Sequence, residues 1–185
     1  MTARAGFWIN VIGFQVVWMI AVGGAAHGAW WAGPVAVGIF GAYQLAAPQP
    51  GRADPRLIVL AVTLGFVVDS LLARSHLVGY ASPFPSVDFA PVWILALWAN
   101  LALTLNHSLA YLQRRPLIAA LFGAIGAPLS YFFAARTWHA VTLAEPMATS
   151  LLVLAAMWAV ATPVLARAAL TLARRSTSAR AGLRA

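Results

Sequence analysis

The stretch VWILALWANLALTLNHSLAYL, residues 92–112, contains no Asp, Glu, Lys or Arg. It is long enough to cross the hydrocarbon core of a membrane as one helix. It nevertheless carries Asn106, His107 and Ser108 near its end. Such side chains are costly to expose to lipid, so protein must shield them. The stretch therefore predicts a membrane helix with a polar side that packs inside a bundle.

The rest of the chain has the same apolar character. Of its 185 residues, 62% are hydrophobic and only 9% are charged, whereas about a quarter of a typical soluble domain is charged. Apolar runs of about 18 residues or more indicate membrane-spanning helices. We therefore predict an all-α, polytopic membrane helix bundle that forms a single domain over residues 1–173. Its six transmembrane helices are predicted at residues 6–24, 29–47, 57–73, 92–112, 117–135 and 147–166.

The basic residues, all of which are arginine, predict the orientation of these helices. Connections rich in Arg remain in the cytoplasm because positive segments are hard to translocate. With six spans both termini then lie in the cytoplasm, and residues 174–185 form a basic cytoplasmic tail. Arg4, Arg52, Arg56, Arg114, Arg115, Arg167, Arg174, Arg175, Arg180 and Arg184 fall on one side, and Arg74 and Arg136 fall on the other.

The composition also argues against several classes of function. The net charge of +8 resides largely in the cytoplasmic connections and the tail, which predicts contact with anionic membrane lipids rather than nucleic acid. A tail without aromatic residues offers no surface for stacking bases. There is no cysteine, and the four histidines lack metal-ligand spacing. No motif indicates a cofactor, and no Ser, His and Asp share one depth, so nucleophilic catalysis has no support.

One face of the fourth predicted helix is polar. Its residues recur at spacings of seven, four, three and four, which places them on one side of a helix. A polar face is costly against lipid, so we predict that it points into the bundle. His107 then lies about 8 Å from the cytoplasmic boundary, at the depth of Asn10 on the first helix, and we predict that the two face each other. The polar face comprises Trp93, Asn100, Thr104, His107 and Tyr111.

A second polar layer is predicted in the outer half of the bundle, around Asp69. This residue is the only acid deep in a predicted span, and Asn100 and Ser130 lie at nearly the same depth on helices four and five. We expect Arg136 or Arg74 to supply a cation for the carboxyl group. Two interpretations remain open for both layers. They are a hydrogen-bonded staple that holds helices in register, or a site for a proton, ligand or substrate.

A resemblance to a known family rests on four segments, GFQVVW (13–18), GFVVDSLL (65–72), PVWILALWANLALTLNHSLAYL (91–112) and GAIGAPLSYF (123–132). Over residues 7–166 the chain resembles the family called domain of unknown function 2878. The most specific segments are TLNHSL and PLSY, and Ala127 stands before PLSY where Gly is expected. The resemblance implies a small multi-pass protein of the inner (cytoplasmic) membrane of Gram-negative bacteria. It names no activity and only slightly favours a lipid-linked role.

Three classes of function follow from these observations. The favoured class binds or moves a small or lipid-like ligand along the polar seam of helix four. The second is a membrane enzyme, or an accessory factor, in lipid modification, with Asp69 or His107 as acid or base. The third is a structural accessory subunit without a ligand, and a homo-oligomer or a membrane-protein partner is possible. A cavity beside Asp69 would favour the first two classes, and a tightly closed seam would favour the third.

Overall fold

A computed structural model describes residues 3–46 and 55–182. Within these ranges the chain forms six α-helices, and each predicted apolar run overlaps one of them. Four of the helices, α1, α3, α5 and α6, are long and apolar enough to cross a membrane, and α2 and α4 are shorter. The elements are α1 Ala3–Ala26, α2 Ala32–Ala46, α3 Pro55–Arg74, β1 Val78–Tyr80, α4 Val92–Leu105, a 3-10 helix Ala110–Arg114, α5 Pro116–Arg136, β2 Val141–Leu143 and α6 Met147–Gly182.

Helix α4 is the centre of the bundle. It packs against α1, α2, α3 and α6, and none of its residues is exposed. Its sequence favours this position, because Asn100 and Thr104 are costly to expose to lipid, and both are buried. Trp93 and Trp98 on this helix are each only 1% exposed. The remaining helices are therefore arranged around α4.

The fourth helix ends earlier than the sequence predicted. A continuous helix over residues 92–112 was expected, but α4 ends at Leu105, and turns connect it to the 3-10 helix. Gln113 stabilises this end, because its Nε2 donates to the Leu105 carbonyl at 2.7 Å and to Asn106 Oδ1 at 2.9 Å. Asn and Ser side chains compete with helical hydrogen bonds, which favours a break at NHS. Irregular backbone is tolerated at membrane depth where protein buries it.

Helices α3 and α5 end in the same way. An arginine is the last residue of each helix, and a histidine follows it before a short strand. Arg74 and His76 precede β1, and Arg136 and His139 precede β2. Both histidines adopt the left-handed backbone conformation, at φ 56° and 54°, in which His is enriched over most non-glycine residues. The strands pair antiparallel, so α3 and α5 end at the same side of the bundle. The register joins Val78 to Leu143, Gly79 to Thr142 and Tyr80 to Val141.

This β1–β2 ribbon defines one end of the molecule, which we call the ribbon end. The turn between α1 and α2 also lies there, because Ser82 Oγ donates to the Ala25 carbonyl at 2.8 Å and Trp30 stacks on Phe84. The ribbon was not predicted from the sequence. Helix α6 continues through most of the predicted tail to Gly182. Arg74 and Arg136 lie at the ribbon end, and Arg4, Arg56, Arg114, Arg115, Arg167, Arg174 and Arg175 lie towards the opposite end.

Candidate ligand cavity and the Asp69 cluster

Asp69 is held between three other elements of the bundle. It lies on α3 one helical turn after Gly65, so the two residues share a face. A Cβ atom at Gly65 would lie 2.3 Å from two atoms of the Trp98 indole. Glycine is therefore required at this position for the indole to pack against α3. The close approach brings Trp98 Nε1 to 2.6 Å from Asp69 Oδ2.

Two tyrosines complete the cluster. Tyr80 on β1 donates its hydroxyl to Asp69 Oδ1 at 2.7 Å, and Tyr131 on α5 donates to the same oxygen. The carboxyl group, which is fully buried, thus accepts hydrogen bonds from β1, α4 and α5 at once. Burial, reinforced by the adjacent carboxyl group, raises the pKa of Tyr80 well above its ordinary value, so this phenol is neutral at physiological pH. We call Asp69, Tyr80, Trp98 and Tyr131 the Asp69 cluster.

The expected cation is not part of this cluster. Among the described residues, Asp69 forms hydrogen bonds with three neutral donors, and neither Arg136 nor Arg74 pairs with it. The guanidinium of Arg74 lies over the Phe89 ring, 4.7 Å from its centroid, and that of Arg136 lies near Phe132. Both arginines end their helices at the ribbon end, where water can solvate their charge. The prediction of an ion pair was therefore wrong.

The predicted neighbours of Asp69 were correct in depth but wrong in identity. Asn100 lies two residues from Trp98, yet its Nδ2 donates to the Phe14 carbonyl of α1 at 3.0 Å. Ser130 lies next to Tyr131 and lines a cavity instead of contacting the carboxyl group. The orientation of each helix about its own axis thus places Trp98 and Tyr131, and not Asn100 and Ser130, against the carboxyl group.

The inner layer is built around Asn10, but His107 does not pair with it. Asn10 Oδ1 accepts the hydroxyl of Ser108 at 2.6 Å, and its Nδ2 donates to the Leu103 carbonyl at 3.2 Å. Because α4 ends at Leu105, His107 and Tyr111 do not continue its polar face. Within the described part of the chain, His107 Nε2 is buried without a hydrogen-bond partner, and Tyr111 is 48% exposed. The predicted contact of Asn10 with His107 was wrong.

A cavity of about 440 Å³ lies between α1, α4, α5 and α6. Its volume falls within the range of about 300–1,000 Å³ typical of small-molecule sites. Its wall is mostly apolar and is rich in aromatic side chains, including Phe14, Trp18 and Trp93. Thr104 and Ser130, two of the predicted polar residues, line it. Trp98 and Tyr131 also belong to its wall, so they separate the cavity from Asp69.

The exposed residues of the cavity wall indicate an opening between α1 and α5. These two helices line opposite walls, yet α1 packs on α2 and α4, whereas α5 packs chiefly on α6. Gln15 of α1 and Phe122 and Gly126 of α5 line the cavity and are exposed. Gln15 and Gly126 lie about 15–18 Å along their helices, near mid-height of the bundle. The opening therefore faces the region where lipid surrounds a membrane-embedded bundle.

The wall contributed by α6 contains two polar groups without partners. Trp158 stacks on Trp98, with ring centroids 4.3 Å apart, and its Nε1 is buried without a hydrogen bond among the described residues. The same holds for Oγ1 of Thr162, one helical turn further along α6. Gly123 of α5 allows this close packing, because a Cβ there would lie 2.2 Å from the Trp158 carbonyl oxygen. Buried polar groups are normally paired, so this pair requires an explanation.

A comparison with protein families gives one match, to the family described as "Protein of unknown function (DUF2878)", over residues 7–164. The chain belongs to this family. The match confirms the resemblance seen in the sequence. No curated protein matches the chain, and no solved structure matches it.

The segments that suggested the DUF2878 family have identifiable structural roles. GFVVDSLL supplies both Gly65 and Asp69, and PLSY supplies Tyr131. TLNHSL forms the end of α4 and the Ser108 contact with Asn10. Sequence reasoning missed the donors Tyr80, Trp98 and Tyr131 and the unpaired groups of α6. The spacing of Gly65 and Asp69 was a usable signal, because small residues mark close helix contacts in membranes.

Proposed function

We propose that this protein is a multi-pass protein of the bacterial inner membrane that binds a small or lipid-like ligand in the cavity between α1, α4, α5 and α6. The observation that supports this most strongly is a largely apolar cavity whose exposed wall residues lie near mid-height of α1 and α5. A ligand that enters there can pass from the bilayer without crossing water. Moving the ligand would require a second opening, so binding is the simpler form of the proposal.

Six crossings with both termini in the cytoplasm are part of this proposal. Helices α1, α3 and α5 all end at the ribbon end, so α2, α4 and α6 must return the chain. Helix α4 contains only 14 residues, but a helix surrounded by protein need not match the bilayer thickness. The separation of the arginines favours the ribbon end as the periplasmic end.

Cysteine labelling tests this orientation directly, since the chain has no cysteine of its own. Val87 is 70% exposed in the connection between β1 and α4, and Tyr111 is exposed at the opposite end. In intact spheroplasts we expect an impermeant maleimide to label Val87→Cys and to leave Tyr111→Cys unlabelled until the membrane is opened. The reverse pattern would contradict the proposed orientation.

A second test closes the cavity mouth. Gly126 lines the cavity, and a Cβ there would meet no atom within 4 Å, so we expect Gly126→Phe to place a ring at the opening. In lipid nanodiscs, a long-chain alcohol that carries a photoreactive diazirine should label peptides of the cavity wall in the wild type. We expect Gly126→Phe to reduce this labelling roughly tenfold, equivalent to about 1.4 kcal/mol.

Gly38→Phe is the matched control for the mouth variant. Gly38 is also exposed on a helix, and a Cβ there would likewise meet no atom within 4 Å, but it lies on α2 and does not line the cavity. It should label like the wild type. Equal loss in both variants, or labelling confined to the outer surface of every variant, would contradict ligand binding in the cavity and leave the structural-subunit hypothesis in its place.

An enzymatic role is the second candidate, and one observation favours it. Tyr131 lines the cavity, and its hydroxyl donates to Asp69 behind the wall. A phenol hydrogen-bonded to a carboxyl group is placed to exchange a proton with a bound molecule. Asp69 would then act through Tyr131 and would not touch a substrate. Accessory participation in lipid modification would use the same cavity.

A further inference from the structure

The ligand of the proposed cavity can be described more closely from the shape of the cavity. We propose that it holds one unbranched hydrocarbon chain, aligned with the helices, whose free end lies at the ribbon end and whose polar end lies at the opening between α1 and α5. This inference rests on the proposed function, because it assumes that the cavity is a binding site. It adds the shape of the ligand and the direction in which the ligand lies.

The cavity is elongated along the helices. Its lining residues extend from Val11 to Val22 on α1 and from Phe122 to Ala134 on α5. On both helices they recur every three or four residues, which is the spacing of one helical face. Each stretch covers about three turns, so the cavity is about 16–18 Å long and runs parallel to these helices.

The cavity is also narrow. A volume of about 440 Å³ spread over this length gives a mean diameter of about 6 Å. Two hydrocarbon chains side by side need about 8 Å, because atoms in contact lie about 3.5–4.0 Å apart. A fused-ring skeleton is likewise broader than a single chain. One extended chain advances about 1.2 Å per bond, so a chain of about 14 carbons spans the cavity.

The ribbon end of the cavity is closed. Val22, Ala134 and Val141 line the wall there, and none of them is more than 4% exposed. Just beyond them, α1 meets the chain that leaves α5, because a Cβ at Gly23 would lie 2.8 Å from the Trp138 ring. The three lining side chains are hydrocarbon only, so they suit the free end of an apolar chain.

The polar end of the ligand is assigned to the opening. The exposed lining residues are Gln15, Phe122 and Gly126, and Gln15 and Gly126 lie about 10–12 Å from the closed end along their helices. Gln15 supplies the polar side chain there, which is costly to leave in lipid without a partner. The unpaired polar atoms of Trp158 and Thr162 are not part of this assignment, because both atoms are fully buried.

The test uses two alcohols with the same chain of 14 carbons, which carry the diazirine either at the last carbon or beside the hydroxyl group. In nanodiscs with the wild-type protein, the diazirine at the last carbon should label Val22, Ala134 and Val141 at least about fivefold more strongly than Gln15 and Gly126. The reverse orientation would bury the hydroxyl without a partner. The diazirine beside the hydroxyl should show the opposite preference.

Two further measurements test the shape of the cavity. A photoreactive cholesterol should not label the cavity wall, because its rings are broader than one chain. Ala134→Leu fills part of the closed end and should reduce labelling there at least about fivefold, while labelling at the opening remains. The control Ala42→Leu makes the same change at an exposed position of α2 that does not line the cavity, and it should label like the wild type.

The outcomes separate this inference from the proposal beneath it. Equal or reversed labelling by the two alcohols, or labelling of the wall by cholesterol, overturns the single-chain assignment. If that labelling is still blocked by Gly126→Phe, ligand binding stands. Unchanged labelling of the closed end in a folded Ala134→Leu protein also overturns the assignment, and if this variant does not fold, the wild-type pattern decides alone. Absence of wall labelling by every probe overturns the proposed function and the assignment together.

Discussion

Asp69→Leu should destabilise the protein by about 3 kcal/mol, because it leaves three buried donors without an acceptor. The hydroxyls of Tyr80 and Tyr131 and the indole N–H of Trp98 all point at the lost carboxyl group. Each stranded donor costs about 1–3 kcal/mol in water-soluble proteins and less where the unfolded reference state lies in a membrane. In detergent, the melting temperature should fall by roughly 10 °C.

Asp69→Asn distinguishes the hydrogen bonds from the ionisable group. The indole of Trp98 can only donate, so the Asn oxygen must face it, and the amide NH₂ then donates to phenol oxygens that are able to accept. We expect a loss of about 1 kcal/mol. Asp88→Leu removes an exposed acid at the ribbon end and should leave the melting temperature unchanged. If Asp69→Leu had the same melting temperature as Asp88→Leu, the Asp69 cluster would not stabilise the bundle.

The Asn variant also separates the two interpretations of Asp69. If Asp69 only holds the helices together through hydrogen bonds, Asp69→Asn should preserve both cavity labelling and cellular function. If Asp69 is an acid–base partner of Tyr131, Asn cannot replace it, because an amide does not take up and release a proton at physiological pH. Complementation of a deletion strain by Asp69→Asn would therefore remove the need for the ionisable group and leave the staple.

Gly65→Ala should strongly destabilise the bundle although it adds only one methyl group. The added Cβ would lie 2.3–2.5 Å from three atoms of the buried Trp98 ring. That ring cannot move freely, because Asp69 holds its N–H and Trp158 stacks on its face. Overpacking of a core costs about 1–3 kcal/mol, and displacement of the ring also breaks its hydrogen bond. We expect a loss of about 3 kcal/mol, measured as detergent melting temperature.

Two further variants control this prediction. Gly38→Ala adds the same methyl group to an exposed helical position with open space and should be neutral or slightly stabilising, because Ala favours helix. In a Trp98→Leu background the clash is absent, so Gly65→Ala should there cost less than about 0.5 kcal/mol. Equal losses in both backgrounds would show that Trp98 is not the residue that requires glycine at position 65.

The Asp69 cluster illustrates how far the sequence could lead to the site. Depth was predictable, because each residue of a helix advances about 1.5 Å along its axis whatever surrounds it. Asp69 was therefore matched to the correct level of helices four and five. Its partners were not predictable, since Tyr131 replaced Ser130 and Trp98 replaced Asn100 through the rotation of each helix about its axis. The third partner, Tyr80, comes from a ribbon that the sequence did not indicate.

The end of α4 shows a second limit. The run 92–112 is apolar enough to predict one helix, and hydropathy contains no sign of a break at Leu105. The break depends on Gln113 reaching back to the Leu105 carbonyl, a contact between residues eight positions apart. The two predictions that relied on a continuous helix, the pairing of His107 with Asn10 and the inward face of Tyr111, were wrong for this reason.

The sequence alone determined that this is a helical membrane protein, approximately where its helices lie, and how its arginines divide between two ends. These properties follow from transfer into lipid, which depends on the composition and length of each segment. Only the tertiary structure decided which helices meet, where the cavity opens, and which groups of α6 remain unpaired. The physical reason is that lipid and protein interior are similarly apolar. The hydropathy pattern of a membrane helix therefore gives little indication of which face will contact protein. In this protein, close packing around Gly65 and Gly123 determines the contacting faces.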